Sequence, residues 1–112
     1  MLAFEKLDVY QRAIEFLSLA TDLMRDAKRG DGPLADQLRR ASMSIPLNIA
    51  ESAGRTGADD RARFYCIARG SAMECSALLD VCGIQRGYDE EKIKAGKALL
   101  LRIVEMLTKM CR

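Results

Sequence analysis

Apolar side chains recur at helical steps along almost the whole of this chain, and no other feature limits its fold as strongly. From 7 to 29, Tyr10, Ile14, Leu17 and Met24 make one seam. Val9, Ala13, Phe16, Ala20, Leu23 and Ala27 make a second beside it, and Asp8, Arg12, Glu15, Asp22, Arg25 and Asp26 take the opposite face. Gly30 supplies a stop, and Lys28 and Arg29 suit the negative end of the helix dipole. Pro33 fits the first turn of a second helix running to about Ala53, with Leu34, Leu38, Ala41, Ile45 and Ile49 inward. Pro46 inside it removes a ladder bond, which predicts a kink near Ser42 to Ile45, with Ser42 and Ser44 placed to satisfy freed backbone groups.

Gly54-Arg55-Thr56-Gly57 ends that helix, and Thr56 with Asp59 reads as an acidic variant of a capping box. The third helix then runs to about Val81 or Cys82, with Phe64, Ala68, Ser71, Cys75, Leu78 and Cys82 as its inner seam. Gly70 in its middle is worth about 1 kcal/mol less than Ala there, which points to a tight packing site. Gly83 and Gly87 mark the next turn, and a fourth helix runs from about Asp89 to Lys109. Ile93, Leu100, Ile103, Val104, Leu107 and Met110 form its stripe, with Lys92, Lys94 and Lys97 outside. Short turns make sequential helices antiparallel. The expectation is therefore one all-α domain over 1–112, an up-down-up-down four-helix bundle. The first and last helices carry wider stripes than one interior consumes. Val9, Leu19, Leu101 and Met106 read as surplus, and surplus apolar area marks an interface between copies of the chain.

Composition narrows the chemistry. Eighteen Lys and Arg against sixteen Asp and Glu leave a net charge of +2, too small by itself to imply a polyanionic partner. The chain has no His, and so lacks the commonest general base and metal ligand. Aromatic residues make up 5%, too few for a base-stacking platform. No apolar run approaches the roughly 20 residues of a membrane span. The acids in MLAFEKLDVYQR are unlike a signal peptide, so a cytoplasmic protein without a membrane partner is expected. Cys66, Cys75, Cys82 and Cys111 form no CxxC pair, and read as reduced thiols serving as small hydrophobes rather than a metal or disulfide set.

Residues 37 to 82 carry a more specific pattern. Gln37-Leu38-Arg39-Arg40-Ala41, Ser44-Ile45-Pro46, Asn48-Ile49-Ala50-Glu51, Gly54-Arg55, Phe64, Ile67-Ala68, Gly70-Ser71 and Glu74 stand at spacings that resemble the four-helix-bundle family of proteins encoded by intervening sequences of bacterial 23S ribosomal RNA. The opening Phe4-Glu5-Lys6-Leu7-Asp8-Val9-Tyr10 is similar as well, so the resemblance covers nearly the whole chain. Ser52 departs from it, where the family usually has Gly. The resemblance implies an all-α bundle assembling into a ring of five subunits, with no established enzyme activity and no cofactor. A related branch, the accessory protein of diversity-generating retroelements, is a basic ring that works with a reverse transcriptase. It implies RNA or DNA, or a nucleic-acid-processing protein, as a partner.

Residue by residue, the arginines are the leading candidates for a site. Between 30 and 91 every basic residue is Arg, whose planar fork suits phosphate. Arg39, Arg40, Arg55, Arg61, Arg63 and Arg69 face only Glu51, Asp59 and Asp60 within 37–71, and Arg55, Arg61 and Arg63 crowd the turn between the second and third helices. Nucleic-acid binding through phosphates is one reading. Ion pairs with Glu51, Asp59, Asp60 and Glu74, in a scaffold that binds only protein, is the other. Pro46, Asn48, Glu51, Gly70 and Glu74 read as structural: Asn48 ties the second helix to its neighbours, and Glu74 pairs with Arg39, Arg40 or Arg69. No catalytic set assembles, because no carboxylate has a partner base and Ser71 and Ser76 have none nearby.

Overall fold

The computed structural model describes every residue except Arg29, so the expectation for Arg29 at a helix end lies outside the described residues. Four helices follow a short 3-10 turn over Ala3–Lys6: α1 (Asp8–Met24), α2 (Gly32–Ala53), α3 (Ala58–Ile84) and α4 (Glu90–Met110). They pack in a closed circuit, each against the next and α4 against α1, in a body of 45 × 25 × 22 Å. Contacts run in opposite senses along three of the four neighbouring pairs. Ser52 meets the carbonyl of Arg61 at the α2–α3 turn while Ser44 meets Ser71 further along. Lys97 reaches Asp80 while Cys66 reaches the carbonyl of Cys111. Arg102 reaches Asp8 while Gly96 faces Phe16 and Leu19. The bundle is thus antiparallel, as the turn lengths require.

The expected inner seams supply the core, although Leu34, Ser71, Ile93, Val104 and Met110 are only half-buried. Phe16, Leu23, Leu38, Ile45, Ile49, Leu79, Leu100, Ile103 and Leu107 are fully buried, with Cys75 and Cys82 beside them as small hydrophobes. On α1 only the seam from Val9 to Leu23 enters the interior. Tyr10, Leu17 and Met24 are half-buried and Ile14 is exposed, along the flank facing α2. α2 continues unbroken through Pro46, which is itself buried. The serines before it do not serve the freed carbonyl. Ser42 Oγ donates to the carbonyl of Arg39, and the Ser44 carbonyl accepts from Asn48 Nδ2.

Several boundaries differ from expectation. α1 ends at Met24 because the backbone tightens there: the N–H groups of Arg25, Asp26 and Ala27 bond to carbonyls three residues back. α3 starts without a side-chain cap, so the Thr56–Asp59 box does not form, and it runs through Gly83 to Ile84. Asp89 does cap α4, accepting from the N–H groups of Glu91 and Lys92 at 2.9 and 3.3 Å. The tight packing expected at Gly70 is elsewhere. A Cβ at Gly70 would meet nothing within 4 Å, whereas one at Gly96 would lie 2.8 Å from Leu79 Cδ1 and 3.3 Å from Phe16 Cε1. Gly96 is where α4 closes onto both α1 and α3. The two loops at that end are latched by Tyr88, buried, whose hydroxyl donates to Asp31 at 2.7 Å. Burial and the adjoining carboxylate push that hydroxyl well above its ordinary range.

Candidate functional site at the corner of α2 and α3

Gly54 ends α2 by bonding back to the carbonyls of Ala50 and Glu51, and only Arg55, Thr56 and Gly57 separate it from α3. Three arginines therefore meet at one corner. Arg55 reaches Glu51 at 2.8 Å and Asp60 at 3.7 Å, and Arg63 reaches Asp60 at 3.0 Å. The guanidiniums of Arg55 and Arg63 also stack on the Phe64 ring, 4.7 and 4.5 Å from its centre. Arg61 donates weakly to the carbonyl of Arg55 at 3.5 Å. Ser52, buried, donates to the Arg61 carbonyl at 2.9 Å, so the residue that departs from the family pattern pins α2 to the first turn of α3.

This geometry divides the six arginines. At the corner, Arg55, Arg61 and Arg63 stand against Glu51, Asp59 and Asp60, three charges against three. The positive excess resides in Arg39, Arg40 and Arg69. Arg39 and Arg40 lie 13 or more residues before the end of α2, about 20 Å up its axis. Arg39 pairs loosely with Asp36 at 3.4 Å. Among the described residues Arg40, Arg61 and Arg69 meet no carboxylate within 4 Å, and Arg69 keeps a buried Nε without a partner. The six do not make one patch. Glu74 is exposed and, among the described residues, meets none of its expected partners. Glu51 does find Arg55, within the chain.

Asn48 acts through an intermediary. Its Nδ2 donates to the carbonyl and hydroxyl of Ser44 at 2.8 and 2.9 Å, and Ser71 Oγ donates to Ser44 Oγ at 2.8 Å. The relay joins α2 to α3 halfway along the bundle. Ser44, expected to serve the backbone beside Pro46, instead links Asn48 to Ser71, a role that leaves no periodic signal because it depends on a bond across helices.

The surplus apolar surface is not where the stripes placed it. Val9 is buried, and Leu19 and Met106 are half-buried against the core, so only Leu101 of the four expected residues stays open, at 64%. Ile14, Met43 and Leu47 are open along the α1–α2 flank, and the longest run of open positions lies on α3, whose outer face presents Ile67, Gly70, Met73, Ala77, Val81 and Ile84 in one stripe. Ile84 is 80% exposed. Beside that stripe a groove of about 650 Å³ runs between α3 and α4, floored by Ala77, Leu101 and Val104 and bounded by the Lys97–Asp80 ion pair at 2.7 Å. Chemically these surfaces present contact area and guanidinium forks. Among the described residues no three His, Cys, Asp or Glu side chains converge on a metal-sized site, and no helix is long and apolar enough to cross a membrane.

The bundle is similar to a crystal structure of a protein of unknown function from the S23 ribosomal protein family of Bacteroides thetaiotaomicron. The TM-score is 0.84 and the identity 19%, over 93% of this chain and 98% of that one. At that identity the likeness concerns the fold. No curated protein matches the chain. The family model described as 23S rRNA-intervening sequence protein matches residues 5–109, carrying the SIP-NIAE, GR and IA-GS elements that α2 and α3 hold together. The chain therefore belongs to the 23S rRNA-intervening sequence protein family.

Proposed function

We propose that this protein is a non-enzymatic helical module that assembles with copies of itself through the outer face of α3 and the adjoining groove. One observation carries the reading: besides its buried seam, α3 has a second, mostly apolar face, interrupted by Glu74, that no described residue covers. A helix that is apolar all round belongs in an interior. Met73 and Ile84 stand 47% and 80% exposed on that second face, with Leu101 across the groove. Gly70 and Ala77 lie in the same stripe and let the backbone of an incoming helix approach closely. The resemblance implies five subunits, and a ring repeats each surface five times. The reading places the module in the cytoplasm, where the buried thiols of Cys75 and Cys82 stay reduced.

A second reading, nucleic-acid binding, is favoured by the guanidiniums that no carboxylate occupies. Arg40, Arg61 and Arg69 are available to phosphate oxygens, and a ring would multiply them. The corner trio contributes less than its density promised, since Glu51 and Asp60 already hold Arg55 and Arg63.

Light scattering tests the first reading. The wild type is expected at a multiple of 12.4 kDa, and Met73→Glu/Ile84→Glu at the single-chain mass with helicity retained. A wild-type monomer at micromolar concentration would end the proposal. Anisotropy of a labelled structured RNA tests the second: binding that falls steeply with salt and weakens in Arg40→Ala/Arg61→Ala/Arg69→Ala is expected. No binding at low salt leaves the scaffold.

A further inference from the structure

The cysteines fall into two unlike pairs. Cys75 and Cys82 face the core, out of reach of small oxidants. Cys66 and Cys111 meet at the surface, where the first part of α3 lies against the end of α4. Cys66 is exposed, and its Sγ donates to the carbonyl oxygen of Cys111 at 3.4 Å, across 45 residues of sequence. Cys111 is the cap residue of α4, with backbone angles outside the helical range, so its side chain can turn without disturbing the packed helix.

We propose that Cys66 and Cys111 form an oxidisable dithiol that closes to a disulfide within one chain, fastening the end of α4 to α3. Hydrogen peroxide is a sufficient oxidant. The thiolate of one cysteine attacks a peroxide oxygen, the O–O bond breaks, and hydroxide leaves, giving a sulfenic acid. The second thiolate attacks that sulfur, the S–S bond forms, and hydroxide leaves again. In sum two thiols are oxidised and one peroxide is reduced to two waters. Two opposing influences act on Cys66. The bond with Cys111 and the proximity of that second thiol favour its protonated form, and Arg69 nearby favours the thiolate; Cys111 prevails, so the thiol is raised above its ordinary value. Closure is accordingly slow at neutral pH and accelerates as pH rises. The clasp lies within a single chain and does not rest on the assembly proposed above.

The test treats purified full-length protein with hydrogen peroxide and reads intact mass, a peptide digest and non-reducing electrophoresis. The expected result is loss of two hydrogen atoms, a linked peptide pair containing Cys66 and Cys111, and unchanged single-chain mobility under denaturing conditions. Cys66→Ser and Cys111→Ser each abolish the mass loss, while Cys75→Ala/Cys82→Ala retains it. Tm of the oxidised wild type rises by several degrees and returns on reduction. Addition of oxygen without loss of hydrogen, a link to Cys75 or Cys82, or a covalent dimer would each overturn the proposal.

Discussion

Gly96 and Cys75 show how much rests on single positions in this bundle. At Gly96, Leu79, Leu19 and Phe16 converge on a backbone with no side chain of its own. Gly96→Leu must displace those neighbours, and a loss of about 1–3 kcal/mol in urea unfolding is expected. An unchanged midpoint would show that α4 shifts freely at this level. Cys75 is fully buried, and desolvation, with Glu74 adding to it, raises its thiol from 9.0 to about 12. The unfolded chain loses this proton near pH 9 while the folded chain keeps it until about 12. Between those values the native state holds more protons, so stability falls as pH rises. The decline across that window is expected to be steeper in the wild type than in Cys75→Ala, measured by urea unfolding at each pH. Parallel curves would place the alkaline sensitivity elsewhere, for example at Tyr88.

Among the elements, α3 is the one whose two faces answer to different demands. Its inner seam was legible from period alone: Phe64, Ala68, Cys75, Leu78 and Cys82 are buried as expected. Its outer stripe carries no such signal, because small residues interleaved with Ile67, Met73 and Val81 blur the contrast on which periodicity depends. Gly70 illustrates the difference. Within one chain it faces open space, so its only intrinsic effect is the helix propensity it forfeits. Gly70→Ala, made in the monomeric Met73→Glu/Ile84→Glu background, is expected to raise the unfolding free energy read from urea titration by up to about 1 kcal/mol. A fall instead would mean that an intrachain neighbour crowds the position. α2 offers the complementary case. It carries Pro46 without interruption because that ring is buried and the apolar phase of Ile45 and Ile49 is preserved on both sides.

For the whole molecule, the question is which surfaces remain after four helices have closed on each other. The α2–α3 corner retains three arginines, yet its carboxylates balance them, and each exposed pair there is worth no more than about 1 kcal/mol. The apolar face of α3 has no such compensation. If it is shared between copies, assembly protects it, and the wild-type Tm is expected to rise with protein concentration while the Met73→Glu/Ile84→Glu variant shows no dependence. Identical, concentration-independent behaviour of the two would remove self-association as the role of that face.

The number of helices, most of the core and the family pattern can be read from the chain alone. These follow from local rules: helical period, capping chemistry and turn residues act within a few positions. How charges and surfaces combine depends instead on how the helices pack. The pairing of Arg55 and Arg63 with Glu51 and Asp60, the Asn48–Ser44–Ser71 relay and the meeting of Cys66 with Cys111 need distances between helices. So does the close approach at Gly96 rather than Gly70, and so does the shift of open apolar surface from α1 and α4 to α3. A stripe records only that a residue prefers to leave water; which neighbour takes it in is fixed when the helices settle around one another.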